Sequence, residues 1–177
     1  MQIRGTTIIA VRRNGKIAMA GDGQVTMGER YIAKNNAVKV RRIYDGKVVI
    51  GFAGATADAF NLSEKFEKML KKYSGNLTRA CVELAQLWRN DKVLRNLEAL
   101  MIVACGTEMY MISGAGDVIE PDGDILSIGS GGEFARSAGL ALILNTELSA
   151  KEIATKAIEI AGSICVFTNN HITVEEV

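Results

Sequence analysis

A threonine with a free α-amine carries a nucleophile and a base on one residue, and Gly5-Thr6-Thr7 is where this sequence offers one. Cleavage after Gly5 puts an amine beside the Thr6 hydroxyl, a pair able to work as base and nucleophile. An α-amine titrates near ~7.7–8.0, so a useful fraction is neutral at working pH. The competing reading is plain: two adjacent threonines are ordinary strand formers. Lys39 is the second residue of interest. It opens the basic run Lys39-Val40-Arg41-Arg42, and strand alternation puts Lys39 and Arg41 on one face, Val40 and Arg42 on the other. Facing outward, Lys39 is a solvated charge. Facing inward, it needs a carboxylate partner or a lowered pKa, and either is a route to chemistry.

Other nucleophile systems find little here. The chain has one His, His171, in Asn169-Asn170-His171-Ile172-Thr173, which reads as a surface or strand-end position. A Ser-His or Cys-His pair would have to recruit it. Cys81, Cys105 and Cys165 are odd in number, widely spaced and form no C-x-x-C pair, so neither a disulfide framework nor a zinc knuckle is expected and a reducing compartment is. Gly21-Asp22-Gly23 and Gly129-Ser130-Gly131-Gly132 lack phosphate-loop spacing and read as turns. Lys+Arg 21 against Asp+Glu 20 leaves a net charge of +1, which excludes a generally basic nucleic-acid binder and an acidic tail. No apolar run approaches the ~18 residues of a membrane span, and the N-terminus lacks the apolar region of a secretory signal.

These residues need elements to hold them. The 177 residues suit one domain. Thr6 to Arg13 and Lys16 to Ala20 flank Asn14-Gly15, a hairpin signal because both turn positions need positive φ. Val38 to Tyr44 and Lys47 to Ala53 flank Asp45-Gly46 in the same way, with Gly21 to Asn36 an irregular excursion between the hairpins. Ala59, Leu62, Phe66, Met69, Leu70 and Tyr73 recur at helical spacing, Gly75 marks the stop and Asn76 caps a second helix through Trp88. Strands follow at Leu100 to Ala104, Met109 to Ile112, Val118-Ile119 and Ile125 to Ile128. A helix over Glu133 to Leu144 precedes one opened by the capping box Ser149-Ala150-Lys151-Glu152, and His171 to Val174 ends the chain as a strand. Runs of strands alternating with pairs of helices predict an α+β fold, two antiparallel sheets back to back with helices on both outer faces.

In combination the segments resemble the HslV family, proteasome-like peptidases of bacterial ATP-dependent proteolysis. The segments are Thr6-Thr7-Ile8, Gly21-Asp22-Gly23-Gln24-Val25-Thr26, Lys39-Val40-Arg41-Arg42, Gly51-Phe52-Ala53-Gly54 and Thr56-Ala57-Asp58-Ala59. Val82-Glu83-Leu84-Ala85, Trp88-Arg89-Asn90-Asp91-Lys92, Leu97-Glu98-Ala99, Ile128-Gly129-Ser130-Gly131-Gly132 and Ala161-Gly162 complete the match from Gly5 to Val177. The resemblance implies a four-layer αββα sandwich of the N-terminal-nucleophile hydrolase type. Residues 1–5 would be a propeptide removed by self-cleavage, and 6–177 a single peptidase domain.

Roles follow from the same resemblance. Thr6 is expected to be the nucleophile, Lys39 the active-site lysine, Asp22 its acidic partner, Gly51 the backbone oxyanion donor and Ser130 the hydrogen-bond partner of the Thr6 amine. The β-methyl of Thr6 restricts its χ1 and so holds the hydroxyl in place. Gly162, Cys165 and Thr168 match backbone-carbonyl ligands for sodium, and carbonyl oxygens suit a hard cation. Two departures touch that loop: Ser163 stands where an acidic residue is more usual, and Val166-Phe167 replaces Ile-Tyr. No organic cofactor is expected.

The resemblance further implies a cytoplasmic threonine-type peptidase built as two stacked hexameric rings. A hexameric HslU unfoldase would feed it unfolded proteins, use the ATP and activate it; neither nucleic acid nor membrane takes part. Two other readings stand beside it: a catalytically silent ring-assembly subunit of the same fold, and an amidase acting on small amides.

Overall fold

The computed structural model describes residues 3–28, 30–54, 56–92, 94 and 99–177, with side chains at all of these but 3, 4 and 56–58. Met1, Gln2, Leu97 and Glu98, part of the expected propeptide and of one family segment, lie outside them. The first strands are β1 (Ile3–Arg4), β2 (Thr7–Arg13), β3 (Lys16–Gly21), β4 (Val25–Met27) and β5 (Tyr31–Lys34). Then come β6 (Val40–Ile43), β7 (Val48–Ala53), α1 (Thr56–Lys72) and α2 (Leu77–Asn90). The second half holds β8 (Leu100–Cys105), β9 (Glu108–Ser113), β10 (Val118–Ile119) and β11 (Ile125–Gly129). It closes with α3 (Gly132–Asn145), α4 (Ala150–Ile164) and β12 (Thr173–Glu176).

Local chemistry places most of these. Asn14 and Gly15 both take positive φ, 52° and 75°, and close the β2–β3 hairpin. The β6–β7 turn begins one residue earlier than its Asp-Gly signal, with Tyr44 and Asp45 also at positive φ. Gly75 (φ 81°) donates its N–H to the Leu70 carbonyl at 2.8 Å and ends α1. The Asn76 side chain caps α2 by accepting the Arg79 N–H, and the capping box of Ser149 and Glu152 is complete at α4.

Two antiparallel sheets form the centre, with strand orders β11-β2-β3-β12 and β10-β9-β8-β7-β6. Their facing sides share one core, in which Ile8, Ala10, Ile17 and Met19 meet Val40, Val49, Ile102 and Ala104. The outer side of the five-stranded sheet packs Ile50, Phe52, Met101 and Val103 against Leu62, Phe66, Leu84 and Trp88 of α1 and α2. The outer side of the four-stranded sheet packs Ile9, Val11, Ala18 and Ala20 against Ile153, Ala154, Ala157 and Ile158 of α4. The order of layers is therefore αββα, as expected. Each large side chain buried in these cores contributes roughly 1.5–3 kcal/mol. No helix among the described residues is long and apolar enough to cross a membrane.

Two expectations need correction. The excursion from Gly21 to Asn36 is not irregular: it holds β4 and β5, which join β1 in a third sheet of order β1-β4-β5. All four residues of β5 are exposed, so no alternation of burial marks the strand. The last strand begins at Thr173, two residues late. The Asn169 side chain accepts the His171 N–H at 3.1 Å and bends the chain first. His171 itself is exposed.

Candidate active site

Strands β2 and β3 pair with Ile8 opposite Gly21, so the residues just beyond that pair, Thr7 and Asp22, come side by side at one end of the sheet. The Asp22 N–H donates to the Thr7 carbonyl at 3.2 Å, and Asp22 Oδ1 accepts the Thr7 N–H at 2.8 Å. A Cβ on Gly21 would lie 2.6 Å from Ile8 Cδ1 and 2.9 Å from Val40 Cγ2, so a side chain here would push apart the Ile8 and Val40 packing that joins the two sheets. Val40 opens β6, which brings Lys39 to the same end. Lys39 faces inward: its side chain is 8% exposed and that of Asp22 is 0% exposed.

The Lys39 ammonium has three N–H donors, and three oxygens accept from it. Nζ donates to Asp22 Oδ1 at 2.9 Å, to the Gln24 carbonyl at 2.5 Å and to the Gly5 carbonyl at 2.7 Å. Burial lowers the Lys39 pKa from its ordinary value, and the charge and hydrogen bond of Asp22 oppose that shift. The Thr6 hydroxyl donates to the same Gly5 carbonyl at 2.6 Å. The peptide bond expected to be cut thus has its nucleophile and a cation both against its carbonyl oxygen.

The Gly-rich turn after β11 is a backbone cradle for Thr6-Thr7. The Ser130 N–H donates to the Thr6 carbonyl at 2.8 Å, and the Gly131 N–H donates to Thr7 Oγ1 at 3.0 Å. Gly129 has φ 92°, and a Cβ there would sit 2.0 Å from the Thr6 carbonyl oxygen. Ser130 meets Thr6 through its main chain. The partner expected for its hydroxyl, a Thr6 amine, does not exist while Gly5 is attached.

Gly51 does not fit its expected role. It lies within β7, between β6 and β8, opposite Val40 on one side and Ile102 on the other. The Phe52 N–H donates to the Lys39 carbonyl, which turns the neighbouring Gly51 amide away from β6 and into the ladder with β8. A central-strand N–H is already donating, so it is not free to meet an oxyanion. Its absent side chain has a packing reason: a Cβ would lie 2.7 Å from Ile8 Cγ2 and 2.8 Å from Met19 Sδ.

The three expected carbonyl residues follow one another from the last turn of α4 into the loop after it. Cys165 is the C-cap and its carbonyl accepts the Thr168 N–H at 3.1 Å. Gly162 lies in the last turn, where a helix leaves carbonyls without internal partners. The departure at Ser163 has a local outcome: its hydroxyl donates to the Ile160 carbonyl at 2.7 Å. Among the described residues, no group of three His, Cys, Asp or Glu could hold a metal ion.

This arrangement, a threonine hydroxyl beside an ion-paired lysine at one end of an αββα sandwich, agrees with sequence relationships over the whole chain. The pattern of the Proteasome subunit family matches residues 3–177. The chain belongs to the proteasome subunit family. The ATP-dependent protease subunit HslV of Treponema denticola is 62% identical over 176 residues, covering 99% of this chain and 98% of that protein. A crystal structure of eukaryotic HslV from Trypanosoma brucei superposes with a TM-score of 0.91 at 51% identity, covering 96% of this chain and 98% of that one. The structure of Thiobacillus denitrificans BPH in complex with epoxomicin shares the fold at 18% identity, with a TM-score of 0.77 over 97% of each chain.

Within this HslV-like proteasome subunit, three further residues belong to the site. Thr7, fully buried, shares a 2.7 Å hydrogen bond with the Thr168 hydroxyl. Asn169 donates its N–H to Asp22 Oδ2 at 3.3 Å and accepts the Gly23 N–H at 3.1 Å. Gln24 is the third. Each is a polar residue beside a family segment or inside one, but none has a spacing that announces chemistry. Only the hydrogen bonds that gather them around Asp22 and Lys39 pick them out.

Proposed function

We propose that this proteasome-family subunit is a threonine-type peptidase that first cuts its own Gly5–Thr6 bond. The observation that carries this is the Gly5 carbonyl, held by Lys39 Nζ and the Thr6 hydroxyl at 2.7 and 2.6 Å. Thr6 Oγ adds to the Gly5 carbonyl carbon, and the Lys39 ammonium faces the oxygen as it gains charge. The amide C–N bond breaks, the proton from Oγ passes to the Thr6 nitrogen, and Gly5 is left on Oγ as an ester. Water hydrolyses the ester and frees Met1 to Gly5. Thr6 now carries an amine.

The mature cycle reuses these parts. The Thr6 amine takes the hydroxyl proton as Oγ attacks a substrate carbonyl, then gives it to the leaving amine. Water releases the acyl group. Lys39 lowers the amine pKa as a like charge and so keeps more of it neutral. The pairing of the N-terminal strand supports a mode of substrate presentation: β1 lies antiparallel on β4, Ile3 opposite Met27 and Arg4 opposite Thr26. An extended substrate adding to the same edge delivers its carbonyl to the place of Gly5.

A sodium ion suits the loop after α4, because the Gly162, Cys165 and Thr168 carbonyls are hard neutral donors at the negative end of a helix. It would neutralise the dipole end and hold the loop. Two stacked hexameric rings agree with the apolar side chains exposed along α3 and α4, among them Phe134, Leu140, Leu144, Ile160 and Ile164. A separate HslU unfoldase would use ATP and supply unfolded proteins in the cytoplasm, a setting that the three free cysteines suit. Intact mass and peptide hydrolysis test the reading together. The wild type is expected to lose residues 1–5 and hydrolyse peptides, and Thr6→Ala to do neither; full activity in Thr6→Ala would overturn it.

A further inference from the structure

Gln24 touches both members of the buried ion pair with its main chain. Its N–H donates to Asp22 Oδ2 at 2.9 Å, and its carbonyl accepts the Lys39 ammonium at 2.5 Å. Its side chain points elsewhere. The carboxamide nitrogen donates to Thr26 Oγ1 at 3.0 Å and to the Val166 carbonyl at 2.8 Å, so both of its protons are used. The residue is 4% exposed. Buried polar groups of this kind hold their neighbours firmly, because letting go strands a donor without water.

We infer that Gln24 is a positioning residue, whose side chain locks in place the carbonyl that aims the Lys39 ammonium and ties it to the loop after α4. The reason lies in the count of donors. An ammonium has three N–H groups, and Gly5, Asp22 and Gln24 now take one each. Self-cleavage removes Gly5. Asp22 and Gln24 then hold two N–H groups, and the third is left directed at the place where a substrate carbonyl arrives. If the Gln24 carbonyl moves, the ammonium swings with it. The Gln24 side chain is what stops that movement. It is anchored at Thr26 on β4, the strand that receives the propeptide, and at Val166, next to Cys165. One side chain therefore connects the substrate strand, the lysine and the loop after α4. The inference rests on the peptidase reading of Thr6 and Lys39.

The test compares wild type, Gln24→Met, Gln24→Asn and Thr6→Ala in the assembled protein, with a short peptide amide as substrate. Methionine keeps length and volume but donates nothing. Asparagine keeps the carboxamide on a shorter arm. Gln24→Met is expected to lower kcat at least tenfold with KM within twofold, and to slow loss of residues 1–5 by intact mass. Gln24→Asn should fall between it and wild type. Thermal melting and size-exclusion chromatography measure folding and assembly alongside, and a rate loss matching a lost folded fraction overturns the inference. So does a wild-type kcat in Gln24→Met, or a loss expressed in KM alone. Should Gln24→Met fail to fold, Gln24→Asn decides: a threefold or larger drop in kcat at unchanged KM supports the role, and a wild-type kcat overturns it. A wild type as inactive and unprocessed as Thr6→Ala instead brings down the peptidase reading itself.

Discussion

Lys39 Nζ lies 2.9 Å from Asp22 Oδ1, in a place where neither side chain meets much water. The pair spans the two sheets: Asp22 follows β3 of one, and Lys39 precedes β6 of the other. Two charges taken out of water cost several kcal/mol each, and good geometry with further hydrogen bonds offsets that cost. Here the Thr7, Gln24 and Asn169 amides complete the carboxylate, and the Gly5 and Gln24 carbonyls complete the ammonium. The arrangement serves to hold a cation beside Thr6.

Removing Lys39 strands the carboxylate. Lys39→Met is expected to abolish self-cleavage and peptide hydrolysis. Breaking a buried pair by deleting one partner costs about 3–5 kcal/mol, so a loss in denaturant stability should accompany it. Activity at the wild-type rate would remove Lys39 from the mechanism. A loss of activity no larger than the loss of folded protein would make its role structural only.

The lowered pKa of Lys39 makes activity and stability respond to pH in opposite directions. Burial is the largest cause of the shift, and it places the folded value below the ordinary 10.5. Activity needs the ammonium, so the alkaline limb of kcat/KM should fall below 10.5. Between the folded and unfolded values the unfolded chain binds more protons at this site, so this group's contribution to stability rises with pH there. A pH–rate profile and parallel denaturant melts, with Lys39→Met as reference, check both signs.

Gly129→Ala should cripple the cradle. Its φ of 92° strains any L side chain, and the new Cβ would lie 2.0 Å from the Thr6 carbonyl oxygen. Strain of this kind costs roughly 1–3 kcal/mol before the clash is counted. The expected outcome is a lowered melting temperature and an intact mass that keeps residues 1–5. Normal processing would show that the Ser130–Thr6 contact is dispensable.

A sodium site after α4 should be visible without any enzyme assay. At 100 times its Kd, a ligand that binds only the folded state stabilises it by ~2.7 kcal/mol. Melting in sodium chloride should therefore exceed melting in tetramethylammonium chloride at equal ionic strength. Equal melting temperatures would count against the site.

The exposed apolar face of α3 and α4 should carry assembly. Leu144 on α3 and Val166, in the loop just past the end of α4, each 78% exposed in the single subunit, are suited to a charge probe. The double change Leu144→Glu and Val166→Glu is expected to give a smaller species by size-exclusion chromatography while far-ultraviolet circular dichroism stays unchanged. A particle of wild-type size would move the interface elsewhere.

The sequence by itself determined the layers and the order of the elements, because the information is local. Asn14-Gly15 needs positive φ, Ser149 and Glu152 cap one helix between them, and Leu62, Phe66 and Leu70 recur on one helical face. It also singled out Thr6, Asp22 and Lys39, through residue types joined to family segments. Only the tertiary structure decided which way Lys39 points, since inward and outward readings share one strand pattern and the choice depends on Asp22, 17 residues away. It moved Gly51 from a presumed oxyanion donor to a packing position, because ladder membership depends on which strands flank β7. It also brought in Gln24, Thr7 and Asn169, whose roles come from hydrogen bonds to segments as much as 161 residues distant in the chain. Spacing along a chain records what a residue's neighbours allow. What a buried polar group bonds to is set by the parts of the chain that fold around it.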